Sequence, residues 1–400
     1  MSITHENEQY AAELPKELRL ILSMLRGDMT ALTSQEIEGQ LHGVDWSLFL
    51  RLVYHHRLYS VMYLYLKKET ALPVPQAVME SLKQQYTMNT FRMLQLTAEM
   101  EQVCGAFREH GIRNITLKGP ALAHDLYGDV SMRTSKDLDI LIPVQDVEAA
   151  ARTLQGLGYQ CKEGERALTV RSWKWREHHI CYIHPLKRTQ IEIHWRLNPD
   201  SGRESDFELL WQRSRFSTYT QTPVRMLEAE DLWVYLVTHG ARHGWFRLRW
   251  LLDIDQMIRT MPLDVNKIER RLKEEARLSI GSQTLHLVSN LLHTPLNEAY
   301  RSIMSMNVRA GKRLAKESVL FMKDMLDSPA DLNQYNSYLF ALRSTRQKWF
   351  FFIERLYPST WDVHQLPLPR SLYFLYFPLR PFLWFWRRLK RSTVTERSKV

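Results

Sequence analysis

Asp137 and Asp139 stand two residues apart at the head of an otherwise apolar run ending at Ile142. Strand side chains alternate between faces, so both carboxylates point the same way. Two such anions repel each other and lose hydration unless a cation sits between them. Magnesium suits them, because it takes hard oxygen ligands and bridges carboxylates to phosphate oxygens. Alone, the spacing also fits a turn aspartate beside a solvated one. Metal-dependent phosphoryl or nucleotidyl transfer needs a third acid, since two ions must be held about 3.5–4 Å apart. In Gln190-Ile191-Glu192-Ile193-His194-Trp195, the alternation puts Ile191, Ile193 and Trp195 on one face and Glu192 with His194 on the other. If that strand neighbours the Asp137 strand, Glu192 completes the metal site and helps remove an acceptor proton. On its own it reads as the wet face of an amphipathic strand.

A phosphate-binding element lies upstream. Leu117-Lys118-Gly119-Pro120 reads as strand, turn and helix start, which aims backbone amides and a helix N-terminus at an anion. Lys118 adds a point charge. The segment lacks the Gly-x-x-x-x-Gly-Lys-Ser/Thr pattern of a nucleoside-triphosphatase loop. Arg133 and Lys136, just before the aspartates, could reach phosphate oxygens or remain solvated loop charges. Further on, His239 and His243 are four apart and share a helical face, close to Arg247. No third ligand stands at a zinc-like spacing. These residues, with His194, read as the lining of an acceptor cleft.

The elements that must position these groups change period along the chain. Residues 14–25, 46–67 and 78–110 carry apolar residues at three- and four-residue spacing and predict helices. Strands are predicted over 113–117, 137–142, 178–183 and 189–195, with helices over 120–126 and 144–157 between them. From about Glu228 the pattern is helical again, through 240–258 and 265–277 to about Leu356. The expected class is therefore α+β: an α/β core set between two helical regions. The expected domains are 1–98 (helical), 99–222 (core), 223–357 (helical) and 358–400 (an aromatic and basic tail).

Composition is that of a globular protein, with 44% hydrophobic and 24% charged residues. The N-terminus shows no basic-then-apolar leader, and no long uncharged window predicts a classical membrane span. The three cysteines have no metal-ligand spacing and are expected to be reduced, which fits a cytoplasmic protein. Net charge is +10, but residues 371–400 hold seven Lys or Arg against Glu396 alone, so they supply +6 of it. The near-neutral remainder argues against a nucleic-acid partner. In the tail, aromatics from Tyr373 to Trp386 precede Arg387, Arg388, Lys390 and Arg391. That order suits peripheral contact with an anionic membrane at its inner face through 371–391, or aromatics that simply complete a core.

Together these pieces resemble the nucleotidyltransferase superfamily with the DNA polymerase β-like fold, and within it the bacterial uncharacterised nucleotidyltransferase family. The shared markers are Lys118-Gly119, Arg133, Asp137 with Asp139, Gly158-Tyr159, Glu192 with His194-Trp195, and His239 through Asp253. Two positions depart from the pattern: Gly119-Pro120 replaces Gly-Ser or Gly-Gly, and the third acid is Glu. The resemblance implies a small nucleotidyltransferase core with a mixed sheet and transfer of a nucleoside monophosphate from an NTP, such as ATP, to an acceptor hydroxyl or phosphate. Pyrophosphate would leave. It implies two Mg2+ held by Asp137, Asp139 and Glu192, a triphosphate held by Lys118, Gly119, Arg133 and Lys136, and a small-molecule, sugar or peptide acceptor of the kind met in biosynthesis. The rival expectations are a non-catalytic nucleotide- or partner-binding relative and an RNA-acceptor enzyme.

Overall fold

A computed structural model of the chain describes residues 14–70, 72–162, 177–199, 204–323, 332–356, 366, 368 and 370–383. Helices dominate, as the spacing predicts, around one mixed sheet. Its strands are β1 (Ile115–Thr116), β2 (Asp137–Leu141), β3 (Gln160–Cys161), β4 (His179–Ile183), β5 (Gln190–His194), β6 (Arg215–Phe216) and β7 (Arg225–Met226), in the order β3-β4-β5-β2-β1-β7-β6. β2 runs parallel to β5, and β1 parallel to β7. The remaining neighbours are antiparallel. β3, β6 and β7 were not expected from the sequence, because two-residue strands carry no period. The buried side chains Leu138, Ile140, Ile191 and Ile193 form the core face of β2 and β5.

Two long periodic segments are broken in the structure. The expected helix over 46–67 is two helices, Trp46–His55 and Tyr59–Lys68, because Arg57 between them adopts φ +55°. That left-handed conformation ends an α-helix. The expected helix over 240–258 belongs to Ala229–Arg242 and Leu248–Thr260. Gly244 and Trp245 turn left-handed there, at φ +61° and +56°, and fold the buried Trp245 ring under Gly240, where a Cβ would lie 2.3 Å from the ring. Periodicity misses both breaks because the apolar residues keep facing inward across them. The Ser34–Leu41 helix was also missed. It is set by a capping box between Thr33 and Glu36.

Residues 1–342 cluster as one compact unit and 343–400 as another. Within the first, the Gln76–Glu109 helix runs through residue 98, and β7 lies beyond residue 222. In the second unit, the buried Tyr376 hydroxyl bonds the Leu366 carbonyl and accepts from the Leu368 amide at 3.1 Å. Phe374, Phe377 and Phe382 are exposed. The basic cluster at 387–391 lies outside the described residues. No helix among the described residues is long and apolar enough to cross a membrane. Cys104, Cys161 and Cys181 form no disulfide, and burial pushes the Cys104 thiol up to about 12.

Candidate active site

The parallel register of β2 with β5 builds the site. It sets Asp139 opposite Glu192 and Leu141 opposite His194, so the polar faces of both strands coincide. The antiparallel register of β4 brings His179 opposite His194 on the same face. Asp139 is buried, and Glu192 and Asp137 are half-buried. His194 Nε2 lies 3.0 Å from Asp139 Oδ1 and 3.5 Å from Glu192 Oε2. One ligand atom each from Asp139, Glu192 and His194 falls within a 4.8 Å cluster. Asp137 shares the face but stands outside that cluster.

Lys118 enters from the end of β1. Its Nζ is 3.1 Å from Asp139 Oδ2 and 3.1 Å from His239 Nε2, and it lies 5.8 Å from the Tyr235 ring centroid. Gly119 makes this turn possible. Its φ of +96° and ψ of −150° belong to glycine, and a Cβ there would press on Leu138 at 3.3 Å. Pro120 follows at the first position of the Pro120–Tyr127 helix, where a missing N–H costs nothing.

The charges are mutually tuned. Burial works against the ionised Asp139, but the Lys118 ammonium and the His194 hydrogen bond outweigh it and hold the carboxyl well below its usual range. Burial also opposes charge on Lys118 and His194; the facing carboxylates, Asp139 above all, raise both. Glu192 is lowered despite burial, chiefly by its hydrogen bond with His194. Asp137 lacks such a bond, so burial and the Asp139 charge push it up to about 6. Burial and Lys118 keep His239 neutral, as an acceptor for the ammonium. Burial lowers His243 to about 3, and its ring packs 5.2 Å from that of Trp250.

The loop leading into β2 is clamped from two helices. Asn89 donates to the Ser131 carbonyl at 2.8 Å, and Arg92 to the Lys136 carbonyl at 3.0 Å. From the other side, the Arg249 guanidinium bonds the Thr134 carbonyl. Arg133 is 2% exposed and donates through Nε at 3.1 Å to both oxygens of Asp253. Tyr127 donates to the same carboxylate at 3.0 Å. An unpaired charge at this depth would be costly, so the pair pins the loop to the Leu248–Thr260 helix. Lys136 is exposed. His239 meets the site through Lys118, whereas Arg247 lies over Phe246 and Trp250, at 5.2 and 6.0 Å from their centroids.

Sequence reasoning missed His178, His179 and Tyr235. The His178-His179 pair at the start of an alternating strand was the available signal, and only strand pairing could locate it. His178, His179 and His194 can offer ring nitrogens within 4.8 Å of one another. Burial drives His178 down to about 2 and also lowers His179, so both are neutral imidazoles.

An acid pair and a third acid in register on adjacent parallel strands, with a Lys-Gly turn opening onto a helix, define an α+β nucleotidyltransferase fold. The sequence matches the uncharacterised nucleotidyltransferase family over residues 42–293, and the chain belongs to that family. No curated protein matches it.

Proposed function

We propose that this protein moves a nucleoside monophosphate from an NTP to an acceptor hydroxyl or phosphate on a small molecule, sugar or peptide, releasing pyrophosphate. The observation that carries the reading is the Asp139–Glu192 register, with Asp137 on the same face and Lys118 at its edge. The donor set fits a divalent cation: Asp139, Glu192 and His194 each offer one ligand atom, and these lie within 4.8 Å of one another. Asp137, Asp139 and Glu192 would hold two Mg2+, which when bound would stabilise charge on the transferred phosphoryl group. Lys118 would bind the triphosphate electrostatically, and the amides of Ala121 and Leu122 would face it from the helix N-terminus. Glu192, kept ionised by His194, would accept the acceptor's proton. Lys136, at the mouth, would add a phosphate contact, and His239 and His243 would shape the acceptor side.

Incubating the purified protein with labelled NTPs and Mg2+ tests this reading. Label should pass to an acceptor from cell extract, and Asp137→Ala/Asp139→Ala should abolish the transfer. If no label moves to any acceptor, to water or to the protein, and the double variant binds nucleotide as well as wild type, the proposal fails. A second reading, nucleotide binding without turnover, is favoured by the internal pairing of Asp139 with Lys118 and His194; it requires nucleotide binding with no label transfer. For the tail, the exposed Phe374, Phe377 and Phe382 support peripheral membrane contact through 371–391.

A further inference from the structure

Beside the acid pair, at the N-terminal end of β2, lies a cleft of about 370 Å3. Its lining includes Arg57, Arg92, Lys136 and Arg247 together with Tyr59 and Ser135, and it holds no acidic side chain among the described residues. The four cations arrive from four separate parts of the chain. Arg57 sits between the two helices that follow residue 45, Arg92 on the Gln76–Glu109 helix, Lys136 in the loop before β2, and Arg247 between the Ala229–Arg242 and Leu248–Thr260 helices. Their convergence is built into the fold. The Arg92 bond to the Lys136 carbonyl ties two of the segments together. Arg57 is held in the left-handed region at φ +55°, a conformation costly for a side chain with a Cβ.

Like charges gathered in one concavity repel, and the neighbourhood registers it. Burial lowers the adjacent Arg249 to about 9, and Arg133, Arg57 and Arg247 push it further in that direction. Burial likewise lowers His56, with His55 and Arg247 adding to the effect. Guanidinium forks and hydroxyl donors match phosphate oxygens in particular.

We infer that this cleft is a phosphate-binding subsite, distinct from the Lys118-Gly119 turn. It takes either a phosphate carried by the acceptor or the terminal phosphate of the donor nucleotide. Ser135 and Lys136 lead directly into Asp137, so the cleft opens at the end of β2 where the acid pair begins. Its part in the reaction rests on the nucleotidyltransferase reading, but its affinity for phosphate does not.

Calorimetric titration of the full chain with inorganic phosphate, in EDTA and low salt, tests the subsite. Wild type should bind with one-to-one stoichiometry. Arg57→Gln/Arg92→Gln should weaken binding by at least about tenfold, the loss expected for two charge-assisted hydrogen bonds. Lys136→Gln, at an exposed position where folding is not at stake, should weaken it measurably. Absence of saturable binding to wild type overturns the inference, as does binding by Lys136→Gln and the folded double variant that equals wild type. The source of the phosphate follows from adding a non-hydrolysable ATP analogue with Mg2+. Displacement of inorganic phosphate assigns the cleft to the nucleotide's terminal phosphate, and simultaneous binding assigns it to the acceptor. Intact phosphate binding with no label transfer from any NTP would refute the nucleotidyltransferase reading and leave the subsite standing.

Discussion

Lys118, in the glycine turn, and Arg133, four residues before Asp137, are both cations near the acid pair, yet burial and partners set them apart. Lys118 touches Asp139 and His239 at the mouth of the glycine turn, whereas Arg133 is closed in against Asp253. Lys118→Gln should therefore weaken NTP binding by about tenfold or more, the value of a charge-assisted phosphate contact. Arg133→Lys should leave NTP affinity within about threefold of wild type. It should still lower unfolding stability by about 1–3 kcal/mol, because an ammonium cannot copy the fork on the Asp253 carboxylate. Nucleotide titration and urea unfolding of the two variants check this pair. A larger loss of nucleotide affinity in Arg133→Lys than in Lys118→Gln would contradict it. The sequence names Lys118 as a phosphate contact for its place in the glycine turn, and Arg133 for its place just before the aspartates. The partner that engages Arg133 lies 120 residues away and is not visible there.

At the scale of elements, the Val265–Glu274 and Leu278–Leu292 helices meet at Glu275 and Arg277, both buried and 3.1 Å apart. Burial pushes the Glu275 carboxyl up to about 7 from its ordinary 4.5, and Arg277 offsets only part of the rise. Between those two values the folded chain keeps a proton that the unfolded chain has released. Glu275 thus favours the folded state most below pH 4.5; its contribution falls as pH rises to 7 and is constant above. Glu275→Gln should flatten this decline. Thermal midpoints at pH 5 and pH 7.5 for both proteins would show it, and equal pH slopes would sink the assignment. Helix existence was legible for most of this region, since 3.6-residue periodicity is local. The breaks at Arg57 and at Gly244-Trp245 were not, because they follow from packing, such as the seat of Trp245 under Gly240.

For the whole molecule, the chain divides into two compact units after Leu342. A chain ending at Leu342 should keep its helical circular dichroism and unfold in one cooperative thermal transition. Loss of that transition would show that residues 343–400 are needed for the first unit to fold. By itself the sequence determined the face of each candidate site side chain: a period of two puts Asp137 with Asp139, and Glu192 with His194, whatever the strands pair with. It also determined the Lys118-Gly119 turn, since only glycine adopts that backbone conformation without strain. Tertiary structure alone decided that β2 lies parallel to β5 with Asp139 opposite Glu192, that His179 joins them, and that Arg133 is spent on Asp253. Pairing and register depend on which apolar faces can be buried together. That is a property of the assembled core, and no single segment carries it.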